Sequence, residues 1–174
     1  MIALSAFVAV TATLLLVSRS SLRHPRRHGF YRFFAFEGIL VLVLLNARYW
    51  FEEPLSTRQI VSWCLLLSSA VLAIHGFRML HAIGRPEGSI EKTSRLVRQG
   101  AYRYVRHPLY STLLLCVCGA LLKNVSVVGV VLAILVGGFT VATAKVEELE
   151  NLQRFGADYA SYMNTTRMLI PFVF

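Results

Sequence analysis

The eleven residues Gly100-Ala-Tyr-Arg-Tyr-Val-Arg-His-Pro-Leu-Tyr110 gather tyrosine, arginine and histidine directly before an apolar stretch. Pro108 suits the first position of a helix, where no backbone N–H is needed. The unpaired N–H groups of such a helix end attract anions. With Arg106 and His107 beside them, they offer a seat for the carboxylate of a small charged molecule. A second polar group, Glu147-Glu148, follows the next apolar block. Either carboxylate could take a proton from an amine or thiol. A carboxylate acceptor would be ionised near neutral pH and would need only a cation to orient it, and Arg167 is the candidate for that part. Two polar clusters at the mouth of membrane segments point to an enzyme joining a charged cofactor to a greasy substrate.

The elements that must position these residues are apolar. The chain is 56% hydrophobic, above the ~45–50% of soluble domains, and 174 residues fit one domain. Apolar blocks fall at 2–17, 33–45, 60–77, 109–122 and 125–144. A membrane span takes about 20 mostly apolar residues. The fourth block is short, and Leu121-Leu122-Lys123-Asn124 reads as a tight turn. The pattern predicts a single all-α integral membrane domain over 1–174, with about five spans, the last two forming a helical hairpin. The first block has neither a basic region before it nor a small-residue cleavage pattern after it, so it is expected to be a span rather than a signal peptide.

Charge predicts the orientation. The formal net charge is +9, and fifteen of the eighteen Lys and Arg residues lie in the first connection, the long third connection and the tail. Only Arg48, Arg58 and Lys123 fall on the other side. Under the positive-inside rule the N-terminus is outside, and the loop from Met79 to His107 and the tail are cytoplasmic. Both polar clusters then share one face. Nucleic acid, the usual partner of a basic chain, is not needed to explain this charge. Cys64, Cys116 and Cys118 lie within apolar blocks at no metal-ligand spacing and read as small core residues.

Individual residues add expectations. Gly100 can take positive φ and so turn the chain before the aromatic run. The stretch from His81 to Ser89 is rich in turn formers, and Glu91 to Gln99 is polar. Arg103 and Arg106 alone would also suit a basic segment touching lipid headgroups. His75 reads as a packed imidazole. Glu37, near one end of its span, is either functional or snorkels to the interface. Neighbouring helical residues point about 100° apart, so one of Glu147 and Glu148 is expected to face the interior and the other solvent or a partner. Leu149, Leu152, Phe155 and Tyr159 recur at helical spacing. Phe155-Gly156 is expected to interrupt that helix, and Ile170-Pro171 to end any helical register.

The order Gly100-x-Tyr-Arg-Tyr-x-Arg-His-Pro-x-Tyr110, Glu147-Glu148, Phe155-Gly156-x-x-Tyr159-x-x-Tyr162 and Arg167-x-x-Ile-Pro171 resembles the isoprenylcysteine carboxyl methyltransferase family. Phospholipid N-methyltransferases are similar in the same region. The resemblance runs from about His81 to the end. After the histidine it departs from one common family form: a Leu-Gly-x-x-Trp stretch is replaced by Ile83-Gly84-Arg85-Pro86-Glu87-Gly88. The resemblance implies S-adenosylmethionine as cofactor, in a pocket closed by the Arg106-His107-Pro108 turn and the Glu147-Glu148 helix. It implies that His107 and Tyr104 hold the aminocarboxypropyl end, that Tyr159 and Ile170 help enclose the adenosine, and that His81, Tyr102 and Tyr110 belong to the same site. The acceptor would be a lipid or another lipophilic molecule, of which the carboxylate of an isoprenylcysteine is one case. A membrane reductase using a nicotinamide cofactor is a second reading of the basic loop, and a non-catalytic membrane adaptor a third. No Gly-rich strand–turn–helix favours a soluble dinucleotide-type fold.

Overall fold

The computed structural model describes residues 2–24, 27–85 and 93–174, with side chains from Leu4 onward. The turn-rich residues 86–89, the start of the polar stretch at Glu91 and the charges of Arg26 and Lys92 lie outside the described residues. The chain is helical throughout its ordered elements: α1 Ile2–Leu22, α2 His28–Leu45, α3 Thr57–Met79 with a π-helical turn Leu80–Gly84, α4 Pro108–Leu121, α5 Val127–Phe155 and α6 Ala157–Thr165. An isolated bridge joins Val105 to Arg167.

Each apolar block of the sequence becomes one helix. Four of them (α1, α2, α3 with its continuation, and α5) are long and apolar enough to cross a membrane. The fourth block does not match them: α4 has 14 residues, about 21 Å at 1.5 Å per residue, against a hydrocarbon core of about 30 Å. Local chemistry sets the helix ends. Ser56 caps α3 by accepting from the Gln59 N–H, and Ser126 caps α5 by accepting from the Gly129 N–H at 3.1 Å. Pro108 opens α4. Gly156, at φ +55°, turns the chain between α5 and α6, as Phe155-Gly156 led us to expect.

Small residues hold the bundle together, as they must where lipid offers no hydrophobic driving force. Between α3 and α4, Ser62 Oγ donates to the Gly119 carbonyl at 2.7 Å and Ser69 Oγ to that of Thr112 at 2.9 Å. A Cβ on Gly119 would lie 2.8 Å from Leu66. Ala35, Leu42, Val117, Ala120 and Val136 form the core shared by α2, α4 and α5. Against α2 packs α1, where Thr11 Oγ1 donates to Glu37 Oε2 at 3.0 Å. Glu37 is the tenth residue of the 18 in α2. It therefore sits in mid-helix rather than near an end, and its Oε1 is buried without a hydrogen-bond partner.

The two ends of the bundle differ. At the α4–α5 turn, the wholly buried Lys123 sets its Nζ 3.7 Å from the Trp63 ring centre, 5.3 Å from that of Trp50 and 3.0 Å from Gln59 Oε1. Beside it Asn46 Nδ2 donates to the Ala120 carbonyl at 2.8 Å. At the opposite end the tail folds back along the loop before α4. The N–H groups of Arg106 and His107 donate to the carbonyls of Arg167 and Met168 at 2.8 and 3.1 Å, and the Arg167 N–H donates to the Tyr104 carbonyl at 3.1 Å. The last residues close on themselves, with the Leu169 and Ile170 N–H groups both donating to the Phe174 carbonyl.

Candidate active site

A short helix among long ones leaves space above its first turn. The 29 residues of α5 run about 43 Å, twice the length of α4, and beyond the start of α4 lies a cavity of about 460 Å³. That size falls within the ~300–1,000 Å³ of small-molecule sites. Arg32 and Phe36 of α2, Phe77 and Leu80 at the end of α3, Thr93, Leu96 and Val97 of the loop, the stretch around Tyr102 to Tyr110, Glu147, Asn151 and Phe155 of α5, and Tyr159 and Tyr162 of α6 line it. Although α2 and α3 both line the cavity, they make almost no contact with each other.

His107 stands between the two glutamates. Its Nδ1 is 4.0 Å from Glu147 Oε1 and its Nε2 is 3.4 Å from Glu148 Oε1. The imidazole stacks on the Tyr110 ring at 5.4 Å. Glu148 is nearly buried and receives the Arg106 Nε–H at 2.6 Å. The same guanidinium donates from Nη1 to the carbonyls of Thr166 at 2.6 Å and Met163 at 3.2 Å. Arg106 and Glu148 thus tie the start of α4, the end of α5 and the tail into one unit. Glu147 instead accepts a hydrogen bond from the Tyr110 hydroxyl and faces the cavity. The two glutamates point differently, Glu148 into the interior and Glu147 to Tyr110 at the cavity, on either side of one histidine, and the carboxylate that reaches outward to another element is Glu150, 2.6 Å from His28 Nδ1.

The roof is aromatic. Tyr162 donates its hydroxyl to the Tyr102 carbonyl at 2.5 Å, and Arg98 spans from above to the Asp158 carbonyl at 2.6 Å. Burial first, then the nearby Glu147, pushes the Tyr102 phenol far above its ordinary range. Burial does the same for Tyr159 and Tyr162. All three remain protonated donors at any physiological pH. Two buried polar atoms at the cavity wall, His107 Nε2 and the Tyr159 hydroxyl, have no well-formed hydrogen bond to the protein. Buried polar groups are rarely left so, and these two are available to a bound molecule.

Of the residues singled out from sequence, Tyr102, Arg106, His107, Pro108, Tyr110, Glu147, Glu148 and Tyr159 converge at or directly behind this wall. Four do not. His81 is exposed on the π turn, where its Nδ1 meets the Phe77 carbonyl at 3.0 Å. Tyr104 is half exposed and lies against Phe172. Arg167 and Ile170 are exposed. The reason is alternation: extended residues point to opposite sides in turn, so Thr166 and Met168 face inward and Arg167 outward. Leu149 is also exposed, while Tyr159 is buried because Gly156 redirects the chain. Reading the sequence missed Arg32 and Asn151 as wall residues. Asn151 had a signal, since it stands four residues after Glu147 and four before Phe155, on one helix face. Arg32 had one too, as a cation four residues before Phe36 in an aromatic-rich span. His75 is structural: its Nε2 accepts the Ala101 N–H at 3.2 Å against Gly100, whose φ is +61°.

Among curated proteins, none matches the chain. The phospholipid methyltransferase family matches residues 57–157, more than half of the 174, and that segment carries α3, α4, α5, the His107 turn and both central glutamates. With membrane-length helices around a cavity whose wall is built from the matched segment, the chain belongs to the phospholipid methyltransferase family, a family of membrane methyltransferases related to the isoprenylcysteine carboxyl methyltransferases.

Proposed function

We propose that this protein transfers a methyl group from S-adenosylmethionine to a lipophilic acceptor. The observation that carries the reading is the cavity itself, polar at the His107–Glu147–Tyr159 wall and apolar along Phe36, Phe77, Leu80 and Leu113. The residues fit the cofactor: two buried polar atoms make no well-formed hydrogen bond to the protein, and aromatic faces with a carboxylate suit a cationic, aromatic-bearing molecule. His107, Tyr159 and Tyr102 would hold its polar parts, with Asn151 and Phe155 beside them. When bound, the cofactor supplies a methyl group already activated on a sulfonium.

The protein's task is then alignment and exclusion of water. The Arg106–Glu148 pair fixes the His107 turn, and His107 with Tyr110 fixes Glu147. A carboxylate acceptor, such as that of an isoprenylcysteine, forms its new C–O bond as the sulfonium C–S bond breaks, and no proton moves. An amine acceptor forms a C–N bond and must release a proton, for which Glu147 is the base in reach. The weak contact between α2 and α3 beside the cavity supports entry of the acceptor sideways from the bilayer. Under the positive-inside rule, the site and C-terminus are cytoplasmic and the N-terminus is outside.

The test is direct. Protein purified in detergent should bind S-adenosylhomocysteine by calorimetry, and methylate either a farnesylated N-acetylcysteine or phosphatidylethanolamine. Binding of a nicotinamide cofactor with none of an S-adenosyl compound would replace this reading by a membrane reductase. Binding of neither would favour an adaptor.

A further inference from the structure

We propose that residues 170–174, together with Tyr104, insert into the lipid leaflet on the site's side of the membrane, so that the folded tail completes the span that α4 leaves short. The inference stands apart from methyl transfer. Five large apolar side chains lie at the surface there: Phe172 is 80% exposed and Val173 76%, and Tyr104, Ile170 and Phe174 are about half exposed. The Tyr104 and Phe172 rings lie 6.2 Å apart. An exposed cluster of this kind marks a surface that meets a partner or a membrane.

Depth identifies the occupant as lipid. The buried tail residues Met168 and Leu169 share a core with Tyr110 and Ala144, against which Val141 packs. Val141 and Ala144 stand about 21 and 26 Å along α5 from Val127. The first charge on that helix, the exposed Lys145, comes at about 27 Å. All three levels fall within a hydrocarbon core of about 30 Å. The inner side of the tail meets α4 and α5 at that depth, so its outer side meets acyl chains. Irregular backbone there must satisfy its own polar groups. The N–H groups of Arg167, Leu169, Ile170, Val173 and Phe174 all donate to carbonyls of the protein, and Pro171 has no N–H.

Charge fits the same occupant. Arg103 and Arg167 are exposed beside the patch: Arg103 precedes Tyr104, and the Arg167 N–H donates to the Tyr104 carbonyl. Arginine stems lie along apolar side chains while the guanidinium rises to the headgroups, and basic residues at a membrane surface are drawn to anionic lipid. A tyrosine suits the same interface. Tyr104, Arg167 and Ile170, which the cavity wall does not use, thereby gain a common role. Because Arg106 and His107 donate their N–H groups to the tail, lipid that holds the tail also holds the His107 turn.

The test uses full-length protein carrying Cys64→Ala, Cys116→Ala and Cys118→Ala, reconstituted in phosphatidylcholine bilayers, with a nitroxide on one new cysteine at a time. Phe172→Cys and Val173→Cys probe the patch. Leu135→Cys, exposed in the middle of α5, is the lipid reference, and Asp158→Cys, exposed on α6, the water reference. Oxygen, which partitions into lipid, should relax the labels at 172 and 173 several-fold more than a water-soluble nickel chelate does, as at 135 and opposite to 158. Nickel-dominated relaxation at 172 and 173 would overturn the proposal, because the tail would then face water. Shielding from both reagents, with dipolar broadening between labels, would overturn it in favour of a second copy. Adding phosphatidylglycerol should raise the melting temperature of the protein, and the double variant Arg103→Gln with Arg167→Gln should lose most of that rise. An undiminished rise would overturn the headgroup contacts assigned to the two arginines.

Discussion

Glu148→Gln and Glu147→Gln should fail in different ways. Glu148 is the carboxylate of a buried ion pair, with side-chain exposures of 9% for Arg106 and 8% for Glu148. Breaking one partner of such a pair costs about 3–5 kcal/mol, because a buried charge loses its compensation. Arg106 keeps the Thr166 and Met163 carbonyls, which argues for the lower end. At about 2–4 °C per kcal/mol for a chain of this size, Glu148→Gln should lower the melting temperature by roughly 6–12 °C. Glu147 is 19% exposed to the cavity, and a glutamine oxygen can still accept from Tyr110. Its cost should stay below about 1 kcal/mol, or roughly 4 °C, while turnover of an amine acceptor is lost. Thermal melts in detergent, paired with methyl transfer, read both effects. The double variant Arg106→Met with Glu148→Leu provides the control, since replacing both members of a buried pair by apolar groups is often nearly neutral. It should melt above Glu148→Gln. Equal melting losses for the two glutamine variants, or a double variant no better than the single, would refute the strut assigned to Arg106 and Glu148.

His107→Ala should weaken S-adenosylhomocysteine more than tenfold, about 1.4 kcal/mol, because the buried Nε2 at the cavity wall makes no well-formed hydrogen bond to the protein; unchanged calorimetry removes His107 from the cofactor. Gly100→Ala should destabilise by about 1–3 kcal/mol, since φ is +61° and the new Cβ would lie 2.5 Å from His75 Nε2. Gly137→Ala, with no atom within 4 Å of the new Cβ, is its control and should melt no lower than the parent. Reporter fusions ending after Lys123 and after Phe174 should lie on opposite sides of the membrane; the same side for both would mean that the α4–α5 hairpin does not span.

Hydropathy was sufficient to place every long helix, because a bilayer demands continuous apolar runs with their backbone bonds satisfied internally. It also marked the block at 109–122 as short, and Pro108 and the turn after Leu121 set the ends of α4 there. The motif order led to the His107 turn and to the glutamates because those residues are local to helix ends. It did not tell which way Tyr104, Arg167 and Ile170 point. That depends on the tail pairing with 104–107, a contact between residues some 60 apart in sequence. Arg32 was legible as a cation one turn before Phe36, but not as part of a wall. Its place in the wall follows from α2 packing on α5 and α4, a contact between elements far apart in sequence.

The far end of the bundle explains why so short a helix can carry the site. Lys123 is clamped by two indoles and Gln59, and Asn46 holds the last turn of α4 through the Ala120 carbonyl. Ser62 and Ser69 then pin the outer face of α4 to α3 along its length. With its C-terminal end fixed and its sides bonded, α4 has no freedom to slide, so the level of His107 is set by helix length alone. The space above it is therefore structural rather than a gap awaiting collapse, and α2, α3 and α5 rise past it as walls. Both ends hold buried polar atoms without a well-formed hydrogen bond, Asn46 Oδ1 and Trp50 Nε1 at the far end and His107 Nε2 and the Tyr159 hydroxyl at the near end, but of these residues only His107 and Tyr159 line the cavity. One end of the bundle supplies the register, and the other, by virtue of that register, keeps polar groups available to a ligand.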